Sequence, residues 1–328
     1  MINENNTIIT NSFPAWYLAA RPKTLTGAAT PVIIGIALAW KDAGTAGFQF
    51  IPALLCLLFA WLMQIDSNFI NDYFDCIRGN DDTATRLGPK RACSEGWITL
   101  PAMKRGIIIT SILASLIGAP LIIYGGWQMI AVGAACVLFA FLYTTVFSYH
   151  GMGDLLVLVF FGIVPVCLTY YVIMPTGMQT IPQEVFVISV ACGLIIDTLL
   201  CINNYRDRDN DRKDGKRTLV VRLGEKAGAQ LYLITGLTGC FATFATLLFS
   251  ALHQSQFGIN LLGLTLFLFY LVLHLKAFKS MKQIGRGREL NKVLGLTARN
   301  MFVYGIITSF NIISVLGLGN KSNLSYFI

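Results

Sequence analysis

The sequence has little charge and no paired metal ligands. Only 13% of its 328 residues are charged, whereas 55% are hydrophobic. Its eight cysteines stand singly, without a Cys-x-x-Cys pair, and its three histidines are far apart in the chain. This spacing argues against a zinc site. Most of the cysteines lie inside apolar runs, and we expect these to be small buried hydrophobic residues, namely Cys56, Cys136, Cys167, Cys192 and Cys240. The long apolar runs exceed the need of a soluble domain of this length and indicate a polytopic membrane protein.

The amino terminus also lacks the basic region of a secretory signal. No Lys or Arg lies in residues 1–11 ahead of the first apolar run. We therefore expect the first membrane span to remain in the mature chain. The net charge of +8 does not indicate nucleic acid as a partner, because the Lys and Arg residues lie between apolar segments.

The apolar runs predict an all-α fold, a polytopic transmembrane helix bundle of about nine spans. Each run is near the roughly 20 residues that cross a bilayer. We place the spans at about 24–40, 51–70, 106–124, 127–147, 154–174, 184–202, 229–251, 259–277 and 299–317. The first span is short, and an earlier start around Trp16 is the alternative. Residues 1–328 are expected to form a single integral membrane domain.

The basic residues predict how the chain crosses the membrane. They concentrate in the amino-terminal segment and in every second loop, at Arg21 and Lys23, then 78–105, 206–226 and 276–299. The other side carries only Lys41 and Lys321. The positive-inside rule then places the amino terminus in the cytoplasm and the carboxyl terminus outside, with an odd number of spans. We expect a multi-pass protein of the cell's inner, cytoplasmic, membrane.

Two acidic segments stand at like positions on the predicted cytoplasmic side. Each begins Asn-x-x-x-Asp at the end of an apolar span, as Asn71/Asp75 after span two and Asn203/Asp207 after span six. Further carboxylates follow, at Asp81 and Asp82 in the first segment and at Asp211 in the second. In a continuing helix Asn203, Asp207 and Asp211 share one face. The repetition predicts two related halves whose acidic segments meet in one cavity.

Such a cavity suits a diphosphate bound through Mg²⁺. Hard divalent cations take carboxylate oxygens and complete their shell with substrate phosphate, and the nearby Lys and Arg residues can hold the remaining charge. Neutralised diphosphate is a good leaving group, so an allylic diphosphate could ionise there to a carbocation. Such a cation requires a dry pocket with aromatic faces. A mixed-charge loop exposed to solvent is the alternative for either segment alone.

Several segments carry a resemblance to a known family. They are Ala20–Leu25, Asn71–Asp75 with Arg78-Gly79-x-Asp81, Arg86–Arg91, Tyr143-Thr144, His150–Leu155, Phe160–Gly162, Asn203–Asp207 with Asp211, Gly215–Leu219 and Arg222–Gly224. The chain resembles the UbiA superfamily of intramembrane aromatic prenyltransferases over nearly its whole length, and its menaquinone branch most closely. It departs from the wider superfamily at Gly79, where that superfamily often has Asp. Which of Asp81 and Asp82 faces the metal is therefore left open.

The resemblance implies an enzyme. It would transfer a polyprenyl group from polyprenyl diphosphate to 1,4-dihydroxy-2-naphthoate, with decarboxylation, to give demethylmenaquinone for menaquinone biosynthesis. Sister enzymes of the superfamily use 4-hydroxybenzoate or homogentisate, and these remain alternative acceptors. A membrane transporter is a more distant alternative. It is disfavoured because the charges gather at one mouth of the bundle, whereas carriers usually bind substrate near the bilayer midplane.

The resemblance also implies roles for individual residues. The catalytic set is Asp75, Asp207, Asp211, Asn71 and Asn203, and the Mg²⁺ set is Asp75, Asp72, Asp81, Asp207 and Asp211. Candidates for diphosphate contact are Arg21, Lys23, Lys216 and Arg217. Tyr143 is a candidate for the wall of the acceptor pocket. Asp154 either orients the acceptor or caps its helix.

Two further acids lie inside apolar spans. Asp66 and Asp197 are costly there unless they face a polar cavity. Asp197 lies seven residues before Asn204, so the two share a helix face. We expect one of these two acids to border the acceptor pocket.

Overall fold

The computed structural model describes residues 8–79, 86–253 and 257–314. Nine helical segments within these residues are long and apolar enough to cross a membrane. They are Phe13–Gly47, Phe50–Arg78, Leu100–Gly118, Gln128–Phe147, Gly153–Ile173, Gln183–Lys213, Glu225–Leu252, Gly263–Ile284 and Leu290–Ser314. The prediction of an all-α bundle with about nine spans is confirmed.

The described residues contain thirteen α-helices, two of which are short and lie between these nine segments. They are α1 Phe13–Ala20, α2 Leu25–Gly47, α3 Phe50–Arg78, α4 Leu100–Gly118, α5 Leu121–Gly125, α6 Gln128–Leu142, α7 Gly153–Val157, α8 Val164–Ile173, α9 Gln183–Lys213, α10 Leu219–Leu223, α11 Glu225–His253, α12 Phe257–Ile284 and α13 Leu290–Ser314. Two π-helical segments, Tyr143–Phe147 and Leu158–Ile163, continue α6 and join α7 to α8.

The acidic segments lie beyond the predicted ends of spans two and six, at residues 70 and 202, and they continue the two helices. α3 continues through Asp75 and ends at Gly79, whose φ of 72° is the left-handed conformation typical of a helix C-terminus. α9 continues through Asp211 to Lys213. The apolar run marks the part of a helix that lipid can surround, but the backbone hydrogen bonds of the helix do not stop where the side chains become polar. Each pair of Asn and Asp therefore stands one helical turn apart on a rigid support.

α9 is the centre of the bundle and packs against α11, α13 and the second π-helical segment. One close approach is between Gly162 and Gly193. A Cβ at Gly162 would lie 2.6 Å from the Cα of Gly193 and 2.7 Å from the carbonyl oxygen of Ser189. Small residues allow this contact, as in other membrane bundles. It fixes α9 against the α7–α8 segment.

A buried acid joins α3 to α4. Asp66 is fully buried, and its two carboxylate oxygens accept hydrogen bonds from the hydroxyls of Thr110 and Ser111, the latter at 2.7 Å. Since both oxygens have partners on α4, Asp66 has a structural role between two helices. Neither of the two intramembrane acids, Asp66 and Asp197, is among the residues that line the main cavity, although one of them was expected to border a pocket.

Candidate active site

A cavity of about 1150 Å³ lies between α2, α3, α6, α8 and α9. One end is polar and carries both acidic helix ends. The rest is mostly apolar and reaches Leu121, Met129 and Val172. Met129 lies at the start of α6, so the cavity extends for most of this helix, roughly 20 Å at the usual rise per residue. A polar mouth above a long apolar chamber suits a molecule with an anionic head and a hydrocarbon tail.

The polar end collects most of the residues that the sequence singled out. Its charged and amide-bearing lining consists of Arg21, Asn68, Asn71, Asp75, Arg86, Arg91, Asn203, Asn204, Arg206, Asp207, Asn210, Asp211, Asp214 and Lys216. All five predicted catalytic residues are in this set. The two acidic segments therefore line a single cavity, as the repetition in the sequence predicted.

α3 presents Asn71 and Asp75 to this mouth. The side-chain oxygen of Asn71 accepts a hydrogen bond from the hydroxyl of Thr144, in the first π-helical segment. Arg78 at the end of α3 donates to the carbonyl oxygens of Thr144 and Thr145 at 3.2 and 2.9 Å. A π-helical turn leaves backbone carbonyls without their α-helical partners, and here Arg78 satisfies them. The motif on α3 is thereby tied to the wall opposite.

α9 presents Asn203, Asp207 and Asp211, which lie on one face at helical spacing. Asp207 is held by its neighbour, because Nε and Nη2 of Arg206 donate to its two oxygens at 2.8 and 2.6 Å. Arg206 is buried, with 4% of its surface exposed. Two-point pairing of this kind fixes both groups.

Lys216 connects the two acidic sets. Its ammonium group interacts electrostatically with Asp75 from α3 and with Asp211 from α9. The turn after α9 brings it there, since the amide of Lys216 donates to the carbonyl oxygen of Asp211 at 2.8 Å. The ammonium group also lies 5.6 Å from the ring centre of Tyr149. A cation between two carboxylate sets relieves their repulsion and leaves positive charge for an anionic substrate.

Arg21 reaches the mouth from a break between α1 and α2. Its φ of 50° is unusual for a residue other than glycine. Asn68 of α3 holds the break by donating to the carbonyl oxygen of Ala20 and to the hydroxyl of Thr24, both at 3.0 Å. Strained backbone held by neighbouring contacts is common at binding sites.

The segment 86–91 adds two arginines that the site prediction did not include. Arg91 lies 3.4 Å from Asp75, and Arg86 interacts with both Asp75 and Asp207. Burial and the nearby cation Arg21 lower the pKa of Arg86 to about 10, so it still carries a proton at neutral pH. A buried cation beside other cations is relieved when an anion binds. The sequence shows the Arg-rich motif but not that this segment folds over the cavity.

Three predicted ligands do not line the cavity. Both carboxylate oxygens of Asp72 are occupied by the backbone amides of Ala92 and Cys93 at 2.9 Å, so Asp72 anchors the segment after residue 86. Lys23 and Arg217 have exposed side chains. Successive residues on a helix point in different directions, so neighbours in the motif separate in space. Asp81 and Asp82 lie outside the described residues.

A turn around Gly151 supports the remaining wall. Gly151 has a φ of 70°, and a Cβ there would lie 2.3 Å from the carbonyl oxygen of Arg217. The amide of Arg217 donates to the carbonyl of Tyr149 at 3.0 Å, and Arg222 donates to that of His150 at 2.7 Å. Only glycine fits this close approach, which positions Tyr143 and Asp154 beside the polar mouth.

The donor set at the mouth is chemically suited to Mg²⁺. Carboxylates and amide oxygens are its usual protein ligands, whereas thiols and imidazoles favour other metals. Asp75, Asp207 and Asp211 supply three carboxylates to one cavity, and Asn71, Asn203 and Asn210 supply amides. The surrounding Arg and Lys residues match the charge of a polyphosphate.

The chain is similar in sequence or in fold to several known proteins. The chain is 38% identical over 241 residues to the 1,4-dihydroxy-2-naphthoate octaprenyltransferase of Escherichia coli (strain K12), covering 70% of this chain and 76% of the relative. Its fold is similar to that of a UbiA homolog from Aeropyrum pernix K1, with a TM-score of 0.62, 17% identity and coverage of 89% and 98% of the two chains. A UbiA homolog from Archaeoglobus fulgidus bound to GPP and Mg²⁺ has a TM-score of 0.56 and 15% identity, with coverage of 92% and 99%.

The model of the UbiA prenyltransferase family matches residues 28–286, which include both acidic helix ends and most of the cavity wall. The chain therefore belongs to the UbiA prenyltransferase family and is a multi-pass membrane enzyme of that family.

Proposed function

We propose that the protein transfers a polyprenyl group from polyprenyl diphosphate to 1,4-dihydroxy-2-naphthoate, with decarboxylation and with Mg²⁺ as cofactor. The observation that carries the proposal is the single cavity, which joins three carboxylates and a ring of cations to a long apolar chamber. The name of the relative from Escherichia coli supports the choice of acceptor.

Mg²⁺ would be held by Asp75, Asp207 and Asp211, assisted by the amide oxygens of Asn71 and Asn203. When bound, it would neutralise the diphosphate and so make it a better leaving group. The Archaeoglobus fulgidus homolog, bound to GPP and Mg²⁺, supports this assignment. Asp72 is assigned to anchoring the segment 86–93, and it leaves the proposed ligand set.

The cations would bind the diphosphate directly. Arg21, Arg86 and Lys216 line the same mouth as the carboxylates and can hold the oxygens that face away from the metal. The segment 86–91 covers this end, which would exclude water from a reactive allylic cation. Lys23 and Arg217, with exposed side chains, are not part of the proposed diphosphate site.

The apolar chamber would take the prenyl tail. Phe139 and Phe160, 4.7 Å apart between ring centres, are among its walls, together with Phe141 and Phe161. Aromatic faces near the head stabilise positive charge, and the rest of the chamber is hydrocarbon. We propose that the polar mouth faces the cytoplasm, because the basic segments collect at this end of the bundle.

The atoms and electrons of the proposed reaction balance without an oxidant or a reductant. The ring carbon that carries the carboxylate bonds to the allylic carbon of the prenyl group. The bond from the allylic carbon to the diphosphate oxygen breaks, and its electron pair leaves on oxygen. Loss of the carboxylate as carbon dioxide returns an electron pair to the ring and restores its aromaticity.

The test is an assay of purified protein with Mg²⁺, a polyprenyl diphosphate and one acceptor at a time. The acceptors are 1,4-dihydroxy-2-naphthoate, 4-hydroxybenzoate and homogentisate, and the products are identified by mass spectrometry. We expect a naphthoquinol that has gained the prenyl group and lost carbon dioxide. A prenylated product from 4-hydroxybenzoate alone, or from homogentisate alone, would show that this compound is the acceptor instead. If polyprenyl diphosphate is consumed with none of the three acceptors, the proposed prenyl transfer is wrong.

A further inference from the structure

Two buried carboxylates lie together beside the diphosphate mouth. Asp154 is in the first turn of α7, and Asp197 is on α9, fourteen residues before Asp211. One oxygen of each and the sulfur of Cys201 all lie within 4.8 Å of one another. Asp197 belongs to a different turn of α9 from Asp207 and Asp211, which line the mouth.

These carboxylates are short of partners. Both oxygens of Asp154 and Oδ1 of Asp197 are shielded from solvent, and no other described residue donates a hydrogen bond to them. Asp197 is 4% exposed, and its second oxygen faces the thiol of Cys201 at 3.5 Å. Buried polar groups are nearly always satisfied, so such a pair requires an explanation. Asp66 is a contrasting case, because both of its carboxylate oxygens accept hydrogen bonds from hydroxyl groups, as expected for an acid with a structural role.

A small side pocket lies beside Asp154 and adjoins the main cavity. Its volume is about 20 Å³, and its walls include Asp154, Tyr143, Ser148, Asn204 and Thr218. The last four also line the main cavity. The pocket is large enough for one water molecule or one hydroxyl group and too small for a ring. A single polar group of a molecule in the main cavity can therefore lie in this pocket, beside Asp154.

We propose that Asp154 binds a hydroxyl of the aromatic acceptor in this side pocket and accepts its proton, and that Asp197 is a positioning residue for Asp154. The inference rests on the proposed function and deepens it by assigning the acceptor subsite. Asp154 faces the acceptor, while the mouth holds the diphosphate, so the two substrates meet between them.

Proton transfer fits the balance of the reaction. The oxygen–hydrogen bond of the acceptor breaks, its proton moves to Asp154, and its electron pair raises the electron density of the ring as the carbon–carbon bond forms. Departure of the acceptor's carboxylate as carbon dioxide returns the ring to a phenolate. Asp154 then gives the proton back, so the carboxyl pair ends the cycle unchanged.

Asp197 explains why two acids are present. Two carboxylates this close repel each other in a medium of low dielectric constant, and a proton held between them removes the repulsion. Asp197 can thus orient Asp154 and share a proton with it without touching the acceptor.

The experiment separates acceptor chemistry from diphosphate chemistry. Purified wild type, Asp154→Asn, Asp197→Asn and the control Asp66→Asn are assayed with Mg²⁺ and polyprenyl diphosphate, with and without acceptor. We expect Asp154→Asn to lower kcat for prenylation about 100-fold, within the usual range for a lost proton acceptor. Slow diphosphate release without acceptor should change less than about twofold, which also shows that the variant is folded. Asp197→Asn should lower kcat less, and Asp66→Asn should change both rates equally.

Acceptor analogues that lack one hydroxyl provide the sharper readout. The two analogues are 1-hydroxy-2-naphthoate and 4-hydroxy-2-naphthoate, and one of them lacks the hydroxyl that Asp154 binds. With that analogue, the ratio of the wild-type rate to the Asp154→Asn rate should fall to about 1. The carboxylate has no hydroxyl to act on there, so its removal has no further effect. A ratio that stays near 100 with both analogues would overturn the proposal, as would equal loss of prenylation and diphosphate release. A wild type that releases no diphosphate and prenylates no acceptor would instead defeat the proposed function itself.

Discussion

Asn291 donates a hydrogen bond from its side-chain amide to the carbonyl oxygen of Leu87 at 2.8 Å, across 204 positions of the chain. Its side-chain oxygen accepts from Nη1 of Arg206, also at 2.8 Å. One amide thus joins the start of α13 to the segment that covers the mouth and to the arginine that holds Asp207. The cover and the acidic helix end are positioned by the same group.

Replacement of Asn291 by Ala should therefore loosen the cover. We expect the KM for polyprenyl diphosphate to rise about tenfold, since two hydrogen bonds are lost, one of them to a charged group, while kcat falls less. Limited trypsin digestion should cut faster at Arg86 and Arg91. Lys292→Ala is the control, because that exposed lysine pairs with the exposed Glu289. Equal effects of the two substitutions would contradict the role of Asn291.

Lys216 and Arg217 are adjacent cations with different surroundings. Lys216 interacts with both acidic sets, whereas the side chain of Arg217 is exposed. We expect Lys216→Gln to raise the KM for polyprenyl diphosphate about 10- to 100-fold, the range for a charge-assisted hydrogen bond. Arg217→Gln should stay within about twofold of wild type, since exposed charges contribute little. The opposite order in steady-state kinetics would refute the assignment.

Asp207 and Asp209 offer a matched test of metal binding on one helix. Asp207 lines the cavity, whereas Asp209 has a half-exposed side chain that pairs with Arg286 at 3.5 Å. Asp207→Asn should lower turnover at least about 100-fold and shift the Mg²⁺ titration to higher concentration. Asp209→Asn should leave both nearly unchanged, and EDTA should abolish the activity of either protein until Mg²⁺ is restored. An unchanged Mg²⁺ titration in Asp207→Asn would remove Asp207 from the ligand set.

The contact between Gly162 and Gly193 predicts a sharp difference between two glycines. A Cβ at Gly162 would meet backbone at 2.6 and 2.7 Å, so Gly162→Ala should destabilise the protein by about 1–3 kcal/mol. Nothing lies within 4 Å of a Cβ at Gly295 in α13, so Gly295→Ala should be neutral or stabilise it by up to about 1 kcal/mol. Thermal unfolding in detergent measures both, and similar midpoints would show that α9 tolerates a wider approach.

The sequence predicted the number of spans and the main acidic residues because both depend on local patterns. Apolar runs of about 20 residues mark spans, and Asn-x-x-x-Asp places two polar groups on one helix face. The meeting of Asp75 with Asp211 followed from the repetition of the motif. The position of Lys216, whose charge acts on both acids, depends on the turn after α9, and a linear pattern does not give the geometry of that turn.

The sequence does not show which neighbouring residues of a motif point toward the cavity and which point away from it. Asp72 lies one residue after Asn71, yet a rotation of about 100° per residue turns it away from the cavity and toward the amides of Ala92 and Cys93. Arg86 and Arg91 were missed as site residues because their position depends on long-range contacts, such as that between Asn291 and Leu87. Tertiary contacts of this kind have no signature in a single sequence.

The bonds from Thr110 and Ser111 to Asp66 have a consequence for biogenesis. An isolated α3 would expose an acid to lipid, at a cost of about 3 kcal/mol on the insertion scale, until α4 supplies both hydroxyls. The chain emerges from the ribosome with α3 first. The second and third spans should therefore leave the translocation channel together as a hairpin, and the helix that carries Asp75 reaches the bilayer already paired.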